Sequence, residues 1–124
     1  MSKLLIVDDS AALLEVMKNI LERNEYIVKT LNSATDIYRE ISEFQPDLLI
    51  LDIYLGGKDG REICREIRKN AETNHLCILV FSASPNTLED YKSYCADDFI
   101  EKPFDITTLV EKIKSVLDYC NGKT

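Results

Sequence analysis

The chain has 124 residues, 45% of which are hydrophobic, and a formal net charge of -7. This length and apolar content suit a single buried core, so we expect residues 1–124 to form one domain. The acidic balance argues against direct nucleic-acid binding, which requires a Lys/Arg surface that displaces counterions from phosphates. The sequence contains no apolar run of membrane-spanning length and no signal peptide, so we expect a cytoplasmic protein without membrane contact.

Apolar blocks rich in β-branched residues alternate along the chain with stretches of helical period, a pattern typical of a parallel sheet wrapped by helices. The first predicted strand is Leu4–Val7, and Ser10 is predicted to cap the helix that follows. The face of that helix expected to pack on the sheet consists of Leu13, Val16, Met17 and Ile20. The second strand, Tyr26–Leu31, includes polar residues and is predicted to lie at an edge of the sheet.

The next two predicted strands are continuous apolar runs, as expected at the buried centre of a parallel sheet. They are Leu48–Leu51, which is followed by Asp52, and Leu76–Phe81, which is followed by Ser82. Between them, the loop at 54–60 holds three of the four glycines and is predicted to be a turn.

The remaining elements are helices and one brief strand. The second helix is predicted to open with a capping box formed by Ser33 and Asp36. A short helix at about 87–94 precedes a strand at Phe99–Ile100, and Asp105 is predicted to cap the final helix. The inward faces of the second, third and final helices are predicted to hold Ile37, Ile41, Phe44, Ile63, Ile67, Leu109, Ile113, Val116, Leu117 and Cys120.

Four cysteines, Cys64, Cys77, Cys95 and Cys120, are widely and unevenly spaced, without a C-x-x-C pair. A metal-binding or redox role needs thiols that are brought together, and this spacing supplies no local sign of that. We therefore expect the cysteines to serve as small hydrophobic side chains of the core.

Polar residues interrupt the apolar pattern just past the predicted strand ends. Asp8 and Asp9 follow the first strand, Asp52 the third, Ser82 the fourth and Lys102 the fifth. In an open parallel sheet these ends share one edge, where ligands bind between strands whose helices leave on opposite faces. If the first and third strands are neighbours, the three aspartates meet there.

Three nearby carboxylates repel one another unless a cation neutralises them. Mg²⁺ is the economical choice, because it prefers oxygen ligands and is commonly held by a few carboxylates together with phosphate oxygens. A lysine beside them places positive charge where a transferred phosphoryl group has its negative oxygens. The combination suits phosphoryl transfer with an aspartate as the nucleophile.

The fragments LLIVDD, LLILDI, the turn at Asp59-Gly60, FSAS and EKPF occur in this order and follow the predicted strand ends. Through them the chain resembles, over essentially its whole length, the receiver domains of two-component response regulators, including the chemotaxis regulator that consists of a receiver alone. The resemblance implies a doubly wound, flavodoxin-like α/β fold with helices on both faces of a five-stranded parallel sheet in the order 2-1-3-4-5. Residues 1–124 would then be a single receiver domain.

The same resemblance implies roles for the carboxylates. Asp52 would be the phosphoacceptor and also a ligand of Mg²⁺. Asp9 would bind the metal directly, Asp8 partly through water, and the backbone carbonyl of Tyr54 would complete the protein's share of the coordination. The protein would be a phosphoacceptor that assists its own phosphorylation and dephosphorylation, and not an enzyme.

On the output side, the resemblance implies that Lys102 pairs with a phosphoryl oxygen and that the Lys102-Pro103 peptide bond is cis. Ser82 would turn its hydroxyl toward the phosphoryl group, and Phe99 would rotate into the space vacated. The surface of helix 4, strand 5 and helix 5 would then change its affinity for a partner.

The implied partners lie on both sides of this switch. A sensor histidine kinase or a phosphotransfer protein would supply the phosphoryl group. A downstream effector protein, or an output domain on a longer polypeptide, would receive the signal, and a dimer formed on phosphorylation is a further option.

Three departures from the family pattern lie on the output side. The interval from Ser82 to Phe99 is about two residues shorter than in a typical receiver, which predicts a short, shifted or frayed fourth helix. Cys95 stands where the family often has a glycine, and Phe99 replaces a frequent tyrosine.

Three alternatives use the same residues differently. A degenerate receiver would serve only as a docking module, although such chains usually lose the acceptor or a residue of the acidic pair, and this chain keeps them. A phosphatase of the haloacid dehalogenase type would need a D-x-D-x-[TV] stretch, whereas Leu51–Tyr54 supplies one aspartate. A flavodoxin-like FMN carrier would need a phosphate-binding loop after the first strand, where Asp8 and Asp9 would repel phosphate.

Overall fold

Five parallel strands form the central sheet of this computed structural model, which describes residues 1–84, 90–94 and 96–122. The strand order 2-1-3-4-5 confirms the predicted doubly wound, flavodoxin-like α/β fold. The strands are β1 (Lys3–Val7), β2 (Ile27–Leu31), β3 (Leu48–Asp52), β4 (Cys77–Ser82) and β5 (Asp98–Glu101). As predicted, β2 lies at an edge, and the apolar strands β1, β3 and β4 form the buried centre.

Helices cover both faces of the sheet. They are α1 (Ala11–Arg23), α2 (Ile37–Phe44), α3 (Gly60–Lys69), a short 3-10 helix (Tyr91–Tyr94) and the C-terminal helix (Ile106–Asn121). Alternate residues of β1 point into two hydrophobic clusters. One cluster packs against α2, α3 and the 3-10 helix, and the other packs against α1 and the C-terminal helix. No helix in the described part of the chain is long and apolar enough to span a membrane.

The inward face of α1 differs from the predicted one. Its buried residues are Leu14, Met17 and Leu21, whereas Val16 is 53% exposed. Leu14, Met17 and Leu21 follow the i, i+3, i+7 spacing of one helical face, so the stripe is rotated from the one predicted. The predicted cap is correct, because the Ser10 side chain accepts a hydrogen bond from the backbone N–H of Leu13 at 3.2 Å.

The capping box predicted for the second helix is wrong. That helix begins at Ile37, and its N-cap residue Asp36 makes no side-chain capping hydrogen bond. Ser33 instead accepts from the backbone N–H of Thr35, within the turn that precedes the helix. Ser and Asp favour such local turns as well as caps, so the sequence pattern alone could not separate the two.

Two of the four cysteines were wrongly predicted as isolated core side chains. Cys77 and Cys120 form a disulfide with a Cα–Cα distance of 6.1 Å. Cys64 is buried in the core as expected, and Cys95 lies outside the described residues. The pairing depends on the packing of the C-terminal helix against the start of β4, which residue spacing does not encode.

A fourth helix was predicted between β4 and β5 at about 87–94, of which 87–89 lies outside the described residues. The described part of that prediction is the single 3-10 turn Tyr91–Tyr94, whose Tyr94 is buried. The fifth strand, Asp98–Glu101, extends one residue beyond its predicted bounds at each end. The loop after β3 includes a short antiparallel hairpin, Tyr54–Leu55 with Lys58–Asp59.

Candidate functional site

The carboxyl ends of the central strands bring the predicted site residues to one edge of the sheet. The register pairs Val7 of β1 with Leu51 of β3, so Asp8 and Asp52 are the next residues on two neighbouring strands. Carboxylate oxygens of Asp8, Asp9 and Asp52 all lie within 4.8 Å of one another. The sequence prediction that these three side chains meet is therefore confirmed.

Burial differs sharply among the three carboxylates. Asp8 is fully buried and Asp52 is only 4% exposed, whereas Asp9 faces solvent. One Asp8 oxygen accepts a hydrogen bond from the backbone N–H of Ser10 at 2.7 Å, and one Asp52 oxygen accepts from the N–H of Tyr54 at 3.3 Å. The protein thus holds two carboxylates in fixed positions and leaves a third at the mouth of the site.

Lys102 supplies the positive charge at this edge. Its Nζ lies 2.8 Å from Asp8 Oδ2 and 3.4 Å from Asp52 Oδ2, which places one ammonium against two carboxylates. The same Nζ sits 4.6 Å from the centre of the Phe81 ring, so an aromatic face helps to hold it. The Lys102-Pro103 peptide bond is cis.

The charge balance leaves Asp52 unusually ready to accept a proton. Its pKa is raised from 3.8 to about 6, chiefly by burial and also by the Asp8 carboxylate. Lys102 opposes both effects by favouring the ionised form. Two buried carboxylates with one ammonium are under-neutralised, which is the arrangement that a divalent cation would relieve.

Ser82 is fully buried at the end of β4, on the strand that borders Asp52. Its Oγ accepts a hydrogen bond from the backbone N–H of Ser84 at 3.1 Å. Its backbone carbonyl accepts from the N–H of Lys102 at 2.9 Å, so Ser82 and Lys102 lie side by side at the same edge. Four strand ends therefore converge on one polar site.

Comparison with known proteins assigns this arrangement to a family. Residues 4–114 match the response regulator receiver domain family. This chain is a receiver domain of a two-component response regulator.

The receiver domain is similar to several solved structures over nearly its whole length. A protein from Chloroflexus aurantiacus J-10-fl, assigned as a response regulator, is 30% identical, with a TM-score of 0.87 over 94% of this chain and 98% of its own. The signal receiver domain of a signal transduction histidine kinase from Syntrophus aciditrophicus is 28% identical, with a TM-score of 0.84 over 95% and 91% of the two chains. NtrX from Brucella abortus is 28% identical, with a TM-score of 0.89. The match covers 98% of this chain and 28% of the NtrX chain.

Phe99, the predicted switch residue of the receiver domain, lies on β5 and is partly buried. Its ring centre is 4.9 Å from that of Tyr91 on the 3-10 helix. Lys112 of the C-terminal helix places Nζ 5.7 Å from the Phe99 ring and 3.5 Å from an Asp98 oxygen. The ring therefore joins the three elements of the predicted output surface.

Gly60 lies beside the site, at a position that the sequence analysis did not single out beyond its turn. It begins α3, and a Cβ atom there would lie 2.4 Å from the backbone oxygen of Asp52 and 2.9 Å from the Cα of Ile53. The Gly60 N–H also donates to the Ile53 carbonyl at 2.7 Å. The Asp59-Gly60 turn of the family pattern was the sequence feature that could have identified this glycine. A glycine is needed here because the start of α3 lies very close to the end of β3.

Replacing Lys102 with methionine is expected to raise the pKa of Asp52 above about 6 by roughly one further pH unit. The removed ammonium is the main influence that lowers this pKa, whereas the Asp8 carboxylate that raises it stays in place. The titration of the Asp52 carboxyl carbon, followed by ¹³C NMR in EDTA, measures the change. Lys112→Met is the matched control, since Lys112 pairs with Asp98 and should leave the titration of Asp52 unaltered.

Proposed function

We propose that this receiver domain accepts a phosphoryl group on Asp52 from the phosphohistidine of a sensor histidine kinase or a phosphotransfer protein. The observation that supports this proposal most directly is the position of Asp52, which is buried beside Asp8 and within 3.4 Å of the Lys102 ammonium. A carboxylate held this way can attack phosphorus while a fixed cation faces the incoming oxygens.

The donor set fits Mg²⁺. Three carboxylates within 4.8 Å offer the hard oxygen ligands that this ion prefers, and their net negative charge exceeds what Lys102 neutralises. The ion would be held by Asp9, Asp52, the backbone carbonyl of Tyr54 and, partly through water, Asp8. When bound, the metal would neutralise charge on the phosphoryl oxygens and the carboxylates.

Lys102 and Ser82 would respond to the phosphoryl group after transfer. The group adds about -1.5 to -2 of charge beside Asp52. The Lys102 ammonium would exchange part of its contact with Asp8 and Asp52 for a phosphoryl oxygen. The Ser82 hydroxyl would turn toward another oxygen and give up the hydrogen bond that it accepts from Ser84.

Phe99 would convey this change to the surface. Movement of Ser82 vacates space near β5, and rotation of the Phe99 ring into it would break the ring's contact with Tyr91. The surface formed by the segment before β5, by β5 itself and by the C-terminal helix would then bind its partner differently. A downstream effector protein or an output domain would receive the signal, and the receiver domain itself would not act as an enzyme on other substrates.

The test is incubation with acetyl phosphate and Mg²⁺ followed by intact mass measurement. The wild type should gain the mass of one phosphoryl group, Asp52→Asn should gain none, and EDTA should suppress the gain by at least tenfold. Asp9→Asn, which leaves the buried pair intact, should be labelled more slowly but at the same residue. A chain that acts only as a docking module would show no gain in any condition.

A further inference from the structure

We propose that Cys77 and Cys120 form a reversible thiol–disulfide switch that fastens the C-terminal helix to the sheet and responds to small-molecule disulfides. The bond joins the first residue of β4 to the next-to-last residue of the C-terminal helix. It lies at the opposite edge of the sheet from Asp52, because Cys77 begins the strand that Ser82 ends. This modification site is separate from the phosphoryl chemistry and does not depend on it.

The fold accommodates both redox states. The Cα atoms of Cys77 and Cys120 are 6.1 Å apart, within the range that a disulfide spans without backbone movement. The Cys77 sulfur lies 3.6 Å from the backbone carbonyl oxygen of Val116, which would accept a hydrogen bond from the thiol once the disulfide is reduced. Cys120 belongs to the last turn of the final helix, so opening the bond would release a helix end.

Small molecules can reach the bond from one side. Cys77 is 3% exposed, whereas Cys120 is only partly buried. Both residues border an open cleft of about 1370 Å³ at this end of the molecule, together with Thr73 and His75. Cys120 is therefore the thiol expected to react first with a molecule in solution.

The oxidation is a pair of exchange steps. The Cys120 thiolate attacks one sulfur of a small disulfide RSSR, forms a mixed disulfide and releases RS⁻. The Cys77 thiolate then attacks the Cys120 sulfur of that mixed disulfide and releases the second RS⁻. Two thiols lose their protons and two electrons to the small disulfide, which leaves as two RSH molecules, and the reverse sequence reduces the bond.

A disulfide explains this cluster better than a metal site does. The Asp97 carboxylate lies within 4.8 Å of both sulfur atoms and could be counted as a third ligand. However, Asp97 Oδ2 already accepts hydrogen bonds from the backbone N–H of Ile78 at 2.9 Å and from Arg68 at 2.7 Å. Its charge is matched by Arg68, so the local charge balance does not call for a cation.

The disulfide closes a loop of the chain that contains the residues proposed to respond to phosphorylation. The two cysteines are 43 residues apart, and the chain between them includes Ser82, Phe99 and Lys102. A cross-link over this span restricts the unfolded chain and raises the melting temperature. If the proposed phosphorylation holds, the redox state acts on the same segment as a second input.

The experiment equilibrates the full chain in glutathione buffers that range from fully reduced to fully oxidised. Each sample is quenched in acid, its free thiols are alkylated, and its mass and peptides are measured. We expect the wild type to lose two hydrogens at Cys77 and Cys120 as the buffer becomes oxidising, to regain them on return, and to melt about 10 °C higher when oxidised. Cys120→Ser should show neither change, and Cys95→Ser, the matched control, should behave as the wild type.

Several results would overturn the switch. One is that Cys77 and Cys120 stay reduced in the most oxidising buffer, and another is that they stay oxidised in the most reducing one. A third is that Cys120→Ser also loses two hydrogens. Zinc retained by the reduced wild type in native mass spectrometry would assign the thiols to a metal site and would also overturn it. Thiol counts and melting temperatures do not require phosphorylation, so failure of the phosphoacceptor proposal would leave these outcomes unaffected.

Discussion

Replacing Asp52 with asparagine is expected to make the protein more stable, raising the free energy of unfolding by about 2 kcal/mol at neutral pH in EDTA. The wild type buries an ionised Asp52 beside Asp8, and one lysine balances only part of their charge. An asparagine keeps the shape of the side chain without this desolvation and repulsion. Urea unfolding of both proteins measures the difference.

The gain should depend on pH in a defined direction. The pKa of Asp52 is about 6 in the folded protein and near 3.8 in the unfolded chain. Between these values the folded protein keeps a proton that the unfolded chain releases, so wild-type stability falls as the pH rises from about 4 to about 6. The advantage of Asp52→Asn should therefore vanish below about pH 4. An advantage of equal size at every pH would contradict this explanation.

Magnesium should reduce the stability advantage of Asp52→Asn. An ion that binds only the folded protein stabilises it by mass action, and the wild type offers one more carboxylate than Asp52→Asn. We expect millimolar Mg²⁺ to raise the unfolding free energy of the wild type by more than that of the variant. Equal responses would argue against Asp52 as a metal ligand.

Gly60→Ala is expected to lower the free energy of unfolding by about 3 kcal/mol. Its new methyl group would lie 2.4 Å from the Asp52 carbonyl oxygen, which is backbone and cannot turn aside. The end of β3 or the start of α3 must shift, and either movement displaces the Asp52 side chain. Thermal and urea unfolding measure the loss, and labelling by acetyl phosphate should slow in the same variant.

Gly122→Ala provides the matched control for this clash. A Cβ atom at Gly122 would meet its nearest neighbours at 3.5 Å, which is ordinary van der Waals contact. Its stability should change by less than about 0.5 kcal/mol. If Gly60→Ala were as stable as Gly122→Ala, the close approach of α3 to β3 would not be a constraint on the site.

The sheet and its polar edge could be predicted because both depend on local patterns. A continuous apolar run such as Leu48–Leu51 identifies a central strand, and the polar residue that ends it falls at the shared edge. Placing Asp8, Asp52, Ser82 and Lys102 required only the strand ends and the strand order. Their contacts follow from the parallel register, which the structure confirms.

Features that depend on packing between distant elements could not be predicted. The pairing of Cys77 with Cys120 requires the C-terminal helix to cross the start of β4, and no local spacing specifies that crossing. The inward face of α1 was misplaced because apolar residues occupy more than one side of that helix, so periodicity did not select Leu14 over Val16. The need for a glycine at position 60 depends on how closely α3 packs against the end of β3, which the sequence does not specify.

The most direct test of the central claim identifies the residue that accepts the phosphoryl group. Treatment of the acetyl phosphate-labelled protein with borohydride reduces an aspartyl phosphate to homoserine, and peptide mass spectrometry locates the changed residue. We predict homoserine at position 52 and at no other aspartate. Homoserine at Asp8 or Asp9, or a phosphoryl group that survives borohydride on Ser82, would contradict the assignment of Asp52 as the phosphoacceptor.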